Sequence, residues 1–369
     1  MNVKEKTVSL LAKAGIEVNG PNPWDIQVHD ERVYARIWSQ GSIGAGESYM
    51  DGWWDVEDMT GFFFKLMESG LDKSLQNLGS LWYLIRAVIT NMQNRRRAYQ
   101  VGEEHYDIGN DLYERMLDKR MAYSCGYWKN AKTLDEAQEA KLDLICRKLS
   151  LKPGQTVLDV GCGWGSFLQF AAERYGVKGV GITVSKEQAA LARKRCEGLP
   201  IEIRVEDYRN TTGQFDHIIS IGMFEHVGPK NYRTYMKKMS ELLKDDGLFL
   251  LHSIGSYKSV LISDPWFNKY IFPNGVLPSV GQIGKAINKL FILEDWHNFG
   301  IDYDKTLQEW YKNFNKTWPE IEKSYSPRFY RMWRYYLLSV AGGFRARRNQ
   351  LWQVVLSKRG VPGGYQSIR

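Results

Sequence analysis

The sequence predicts an α/β fold: a doubly wound parallel sheet joined to a smaller N-terminal α+β domain. Three observations predict it. From residue 150, apolar runs of strand length alternate with helical stretches, the pattern of a parallel sheet covered on both faces. Residues 157–165 read Val-Leu-Asp-Val-Gly-Cys-Gly-Trp-Gly, a strand entering a glycine-rich turn before a helix. Gly161, Gly163, Thr183, Asp207, Glu225 and His252 all fall at expected carboxyl ends of strands, where open α/β sheets bind ligands.

The first ninety residues are short elements broken by glycine. Residues 7–14 read as a short helix. Residues 25–38 alternate as strands do, through Ile26, Val28, Val33, Tyr34 and Ile37. Residues 41–46, rich in glycine, read as a turn, and 59–69, with Phe62, Phe63 and Phe64, as an apolar helix. Helix is expected again over 81–89, running into Arg95-Arg96-Arg97; the domain boundary is placed near 90–105, giving domains of 1–95 and 96–369. Strands follow at 155–160, 177–183, 201–205, 215–221 and 248–253. Helices are expected at 166–175, 185–196 and 231–243, the second capped by Ser185, with a turn at 244–247. The alternation then breaks. Residues 256–289, dense in aromatics around Trp266, Phe267 and Tyr270, read as an insertion building a substrate wall. A strand (291–296), two helices (303–318, 328–348) and a last strand (351–357) complete the chain.

Four cysteines in 369 residues make no disulfide framework and show no zinc-type spacing, so a reducing cytoplasm and no metal are expected. The first twenty residues do not read as a secretory signal. No run of about eighteen apolar residues occurs to span a bilayer. A net charge of +8 points to an anionic partner. With 13 Trp and 21 Tyr, and no nucleic-acid-binding signature, that partner is read as an anionic lipid surface rather than a nucleic acid. The basic side of 328–348 (Arg328, Arg331, Arg334, Arg345) packs in the core or faces lipid, and the Trp53-Trp54 and Phe62–64 cluster suits an interface or a small core.

The turn spacing Gly-x-Gly-x-Gly leaves no seat for a pyrophosphate, unlike a dinucleotide loop. It is similar to motif I of the S-adenosylmethionine (SAM) methyltransferases. On that reading Asp159 meets the cationic amino-acid part of SAM, Thr183 and Gln188 supply polar contacts, and Asp207 and Tyr208 meet adenine. Glu225, His226 and His252 lie at neighbouring strand ends, an arrangement that points to proton chemistry in one crevice. Cys125 has no base beside it in sequence and reads alone as a small buried hydrophobe.

Several segments together resemble the cyclopropane-fatty-acyl-phospholipid synthases over nearly the whole chain. They are Glu104-His-Tyr-Asp-Ile-Gly-Asn-Asp-Leu-Tyr113, Tyr123-Ser-Cys-Gly-Tyr-Trp128, 157–165, 181–188, 222–229, 264–275, 296–303 and Gly343-Phe-Arg-Ala-Arg347. The resemblance implies a seven-stranded Rossmann-like methyltransferase sheet, with Tyr123, Ser124, Gly161, Gly163 and Gly165 joining the SAM contacts. It implies methylene addition from SAM across a cis double bond of a membrane phospholipid. It implies a bound bicarbonate as base, held by Cys125, Glu225, His252, Ile254 through its backbone, and Tyr303. It implies a homodimer whose N-terminal domain docks on the inner face of the membrane. Many family members carry a cysteine where this chain has Val340, so a covalent cysteine intermediate is excluded at that point.

Overall fold

The computed structural model describes residues 2–71 and 109–369. The expected helix at 81–89, the Arg95–97 run, the 90–105 boundary and residues 103–108 of the upstream motif lie outside the described residues. The chain forms two compact units that are not consecutive stretches. Residues 2–71 group with Ile262–Pro273 and Tyr303–Asn349; residues 109–261, 274–302 and 350–369 form the other unit.

In the first unit, helix Val3–Lys13 opens on a capping box from Asn2 and Glu5, satisfying two orphan N–H groups. The strand reading of 25–38 holds only for β1 (Gln27–Val28), which pairs antiparallel with β2 (Trp54–Asp55). Arg32–Gln40 is a helix instead. Val33, Tyr34 and Ile37 are spaced i, i+1, i+4, one helical face, and Val33 and Tyr34 are buried. The glycine-rich stretch is also helical, Ser42–Met50. Its glycines serve packing: a Cβ on Gly44 would sit 2.3 Å from the Arg36 carbonyl, and one on Gly46 2.3 Å from the Trp266 ring. Helix Met59–Glu68 forms as expected and packs on Pro327–Arg345; Gly342 leaves no room for a Cβ beside Phe63. Trp54 and Phe62 are buried in an aromatic core with Tyr49 and Tyr335. Trp266 packs on Tyr335, and Phe267 and Phe272 on Tyr336, so these aromatics of the expected wall belong to that core.

The second unit is a seven-stranded sheet in the order β5-β4-β3-β6-β7-β9-β8. Its strands are β3 (Thr156–Val160), β4 (Lys178–Thr183), β5 (Ile201–Val205), β6 (Phe215–Ile221), β7 (Leu243–Ser256), β8 (Ile292–Asn298) and β9 (Asn349–Ser357). The pairs β3–β4, β4–β5, β3–β6 and β6–β7 are parallel, and β8–β9 is antiparallel. Alternate residues enter opposite cores. Leu158, Val160, Ile218, Phe249 and Leu251 join Tyr235, Met236 and Met239 on one face. Val157, Ile219, Leu248 and Leu250 join Ile145, Phe167 and Leu168 on the other. The expected turn at 244–247 is an irregularity inside β7: pairing steps from Phe215↔Leu243 to His217↔Leu248. Strand order reverses at β3, which has β4 on one side and β6 on the other, so the crevice of the fold opens at its carboxyl end.

Candidate active site

A cleft opens at that switch point, lined from the ends of β3, β4, β5 and β6. Positive φ at Gly161 (85°), Gly163 (53°) and Gly165 (80°) carries the chain round the turn after β3. Gly161 and Cys162 both donate to the Ile182 carbonyl, pinning the turn to β4. All the expected SAM contacts except Gly165 line the cleft: Tyr123, Ser124, Asp159, Gly161, Gly163, Thr183, Gln188, Asp207 and Tyr208. Gly165 instead caps helix Ser166–Tyr175 behind the turn. Thr183 Oγ1 donates to Gln188 Oε1 at 3.1 Å, and Ser185 caps the next helix through the Gln188 N–H. The Asp207 carboxylate takes the Arg209 guanidinium at 2.9 Å.

Asp159 is buried, and its Oδ1 has no hydrogen-bond partner among the described residues. Burial pushes its carboxyl up to about 7, against the pull of the Lys141 ammonium. Lys141 is itself buried on the cleft wall, donating to Ser124 Oγ at 2.9 Å. Burial pushes its ammonium down to about 8, while Asp118, Cys125 and Asp159 pull it back up. The sequence reading missed Lys141, although a signal existed. Helix Leu134–Lys148 buries Leu134, Ala137, Gln138, Lys141, Leu142, Ile145 and Lys148, so three polar residues interrupt an apolar stripe. It also missed Trp164, which lines the cleft and donates to Asn110 Oδ1 at 3.1 Å.

Beyond the cleft wall, Glu225 sits in a 3-10 turn, Phe224–His226, after β6. Its Oε1 accepts the Ile254 N–H at 2.7 Å, and its buried Oε2 has no partner among the described residues. Burial pushes this carboxyl up to about 7, opposed by its own backbone N–H, the Ile254 N–H and the Ser253 side chain. The Ile254 N–H is thus engaged by Glu225. His226 lines the cleft, and burial lowers it to about 4. His252 is buried on β7, in register with Ile221. Burial, then the cations Lys141 and Lys148, hold it well below its usual range, so it is neutral. Gln353 Nε2 lies 3.3 Å from Nδ1, which assigns Nδ1 as acceptor and leaves the hydrogen on Nε2, an atom with no partner among the described residues. Cys125 is buried one residue from Ser124. Tyr303 belongs to the first unit, where it stacks on Phe344 at 4.6 Å.

The switch-point sheet, the glycine turn and the buried acid at its start define a SAM-dependent methyltransferase. Comparison with known proteins narrows the class. Residues 93–354 match the family described as mycolic acid cyclopropane synthetase, and the chain belongs to that family. It is 53% identical over 361 residues, 98% of this chain and 94% of the relative, to the cyclopropane-fatty-acyl-phospholipid synthase of Escherichia coli K12. Among solved structures it is similar to the cyclopropane synthase MmaA2 of Mycobacterium tuberculosis (TM-score 0.67, 30% identity, 70% of this chain and 98% of that one). It is equally similar to mycolic acid cyclopropane synthase CmaA1 complexed with SAH and CTAB (TM-score 0.66, 30% identity, the same shares).

Proposed function

We propose that this chain transfers a methylene group from SAM to the cis double bond of an unsaturated acyl chain in a membrane phospholipid, forming a cyclopropane ring. The donor's methyl carbon leaves sulfur and bonds one alkene carbon, which places a cation on its neighbour. Loss of one proton from the new methyl group lets that carbon close the ring. S-Adenosylhomocysteine and a proton are the other products.

An alkene has no acidic hydrogen, so activation of the acceptor achieves nothing. The protein must hold the donor, exclude water from the cation and accept one proton at one place. Asp159 holds the amino-acid end of the donor, and the glycine turn lets it approach the backbone. The observation that carries this reading is a pair of buried atoms with no hydrogen-bond partner among the described residues, Glu225 Oε2 and His252 Nε2. One is an acceptor and one a donor, a set that fits a hydrogencarbonate ion. Bicarbonate, when bound, supplies the base. Glu225, His252 and Cys125 hold it, and Ile254 orients Glu225. Residues 1–95 are read as a lipid-binding and dimerisation domain and 96–369 as the catalytic domain. The protein works from the cytoplasmic side, at an anionic bilayer surface. Among the described residues no helix is long and apolar enough to cross a membrane.

The test is incubation with SAM and vesicles of unsaturated phospholipid, with and without bicarbonate. High-field cyclopropane protons in the NMR spectrum of the extracted lipid are expected, with a rate that rises with bicarbonate. Intact alkenes in every sample would sink the activity; a rate indifferent to bicarbonate in carbonate-free buffer would sink only the base.

A further inference from the structure

Large apolar side chains are exposed together at one place on the second unit. Tyr257 and Leu261 are 47% and 46% exposed on the segment that follows β7, and Val280 is 53% exposed at the start of helix Val280–Ile287. Four contacts fasten the two segments side by side. Ser256 N–H donates to the Pro278 carbonyl at 2.8 Å, and Ser256 bridges Ser279. The Ser259 and Ser279 hydroxyls lie 2.7 Å apart, and Gln282 Nε2 donates to the Val260 carbonyl at 3.2 Å. Residues 254–261 and 274–290 contain Lys258, Lys285 and Lys289 and no acidic residue. An apolar tip on two segments whose only charged residues are lysines is complementary to a bilayer with anionic headgroups.

The same two segments lead straight to the reactive cluster. β7 carries His252 and then Ile254, bonded to Glu225, and Tyr257 follows three residues later, just past the strand's end at Ser256. At the rise of an extended chain that is roughly 10 Å. On the other segment, Asn274 lines the cleft and the Val276 N–H donates to the Glu225 carbonyl at 2.8 Å, four residues before Val280.

From this we infer that Tyr257, Leu261 and Val280, with Lys258 and Lys285, form a docking surface on the second unit, additional to that of residues 1–95, which seats an anionic phospholipid bilayer beside the way in to Glu225. The inference rests on the proposed function for its acyl substrate, and only for that. The apolar tip enters the headgroup boundary, the lysines meet phosphates, and the chain enters between two segments that both end at the reactive carboxylate.

The test compares the full chain with the triple variant Tyr257→Ser, Leu261→Ser, Val280→Ser and the double variant Lys258→Glu, Lys285→Glu. Sedimentation with saturated phosphatidylglycerol vesicles reads docking without turnover. Conversion of unsaturated phosphatidylglycerol in vesicles, and of a short-chain unsaturated phospholipid dissolved as monomers, reads delivery. Calorimetry with S-adenosylhomocysteine checks the fold. Vesicle partitioning and vesicle turnover should both fall about tenfold in the triple variant, while monomer turnover and S-adenosylhomocysteine binding stay within twofold. The double variant should lose the preference for phosphatidylglycerol over phosphatidylcholine. Unchanged partitioning of the triple variant overturns the surface. Wild-type protein that sediments with vesicles yet converts no lipid overturns the activity instead, and the docking surface then stands on the fall in partitioning.

Discussion

Oε1 of Glu225 accepts the Ile254 N–H at 2.7 Å, tying the carboxylate to the strand that carries His252 two residues earlier. One hydrogen bond therefore ties the Glu225 carboxylate, through Oε1, to the backbone of the strand that carries His252, across 29 residues of sequence.

Glu225→Gln keeps an oxygen for Ile254 and removes the charge. Turnover should fall about a hundredfold or more, with S-adenosylhomocysteine affinity within twofold. The wild-type rate should rise with pH through about 7, where the carboxyl loses its proton. The sign for stability is opposite. The folded state keeps a proton that the unfolded chain releases from its ordinary 4.5, so this group's contribution declines as pH rises from 4.5 to about 7 and is flat above. At pH 8 the Gln variant should be the more stable protein in urea, and a lower midpoint would contradict the burial argument.

Lys141→Met should act on the donor. Removing the buried ammonium leaves Asp159 with its desolvation uncompensated, so its carboxyl rises above about 7 and is protonated at neutral pH. The expected result is about a tenfold loss of S-adenosylhomocysteine affinity at pH 7, equivalent to about 1.4 kcal/mol. The loss should narrow at pH 8.5. Calorimetry at the two pH values decides it: a loss equal at both would show that Lys141 does not act through Asp159.

The central strands can be read from the sequence because they are buried on both faces and run apolar, as in 248–251 and, but for the buried Asp159, in 157–160. The glycine turn announces itself because three positions need positive φ. What escaped depends on contacts between distant residues. Gly44 and Gly46 look like turn residues until Arg36 and Trp266 are seen pressing on their Cα atoms. Val33 and Ile37 alone fit a two-residue period as readily as a helical face over so short a span, and it is the adjacent Tyr34 that only the helix accommodates. Lys141 was passed over because a lysine at a stripe position reads as surface unless its partner Ser124, 17 residues away, is known.

The turn glycines are not equivalent. Gly161 has φ 85°, and a Cβ there would lie 2.8 Å from the Met223 side chain. Gly163 has φ 53° and nothing within 4 Å. Gly161→Ala should cost about 1–3 kcal/mol, displace Met223 and weaken S-adenosylhomocysteine binding. Gly163→Ala should cost about 1–2 kcal/mol from the left-handed backbone alone. Urea unfolding of both variants checks the order; a larger loss at Gly163 would contradict the steric account.

Arg334 tests the assignment of the basic helix face in the first unit. Its guanidinium donates to Tyr49 Oη at 2.5 Å, the Val56 carbonyl at 2.9 Å, the Glu57 carbonyl at 3.0 Å and Tyr311 Oη at 3.2 Å. With its donors so committed, the side chain is a structural clamp rather than a lipid contact. Arg334→Ala leaves part-buried acceptors unsatisfied and should destabilise the protein by about 2–3 kcal/mol. Arg334→Lys should recover less than half, because an ammonium cannot reproduce the planar fork that reaches four acceptors. Partitioning of folded protein onto phosphatidylglycerol vesicles should stay within twofold in both variants. A stable Ala variant that has lost vesicle binding would transfer this arginine from the aromatic core to the lipid surface.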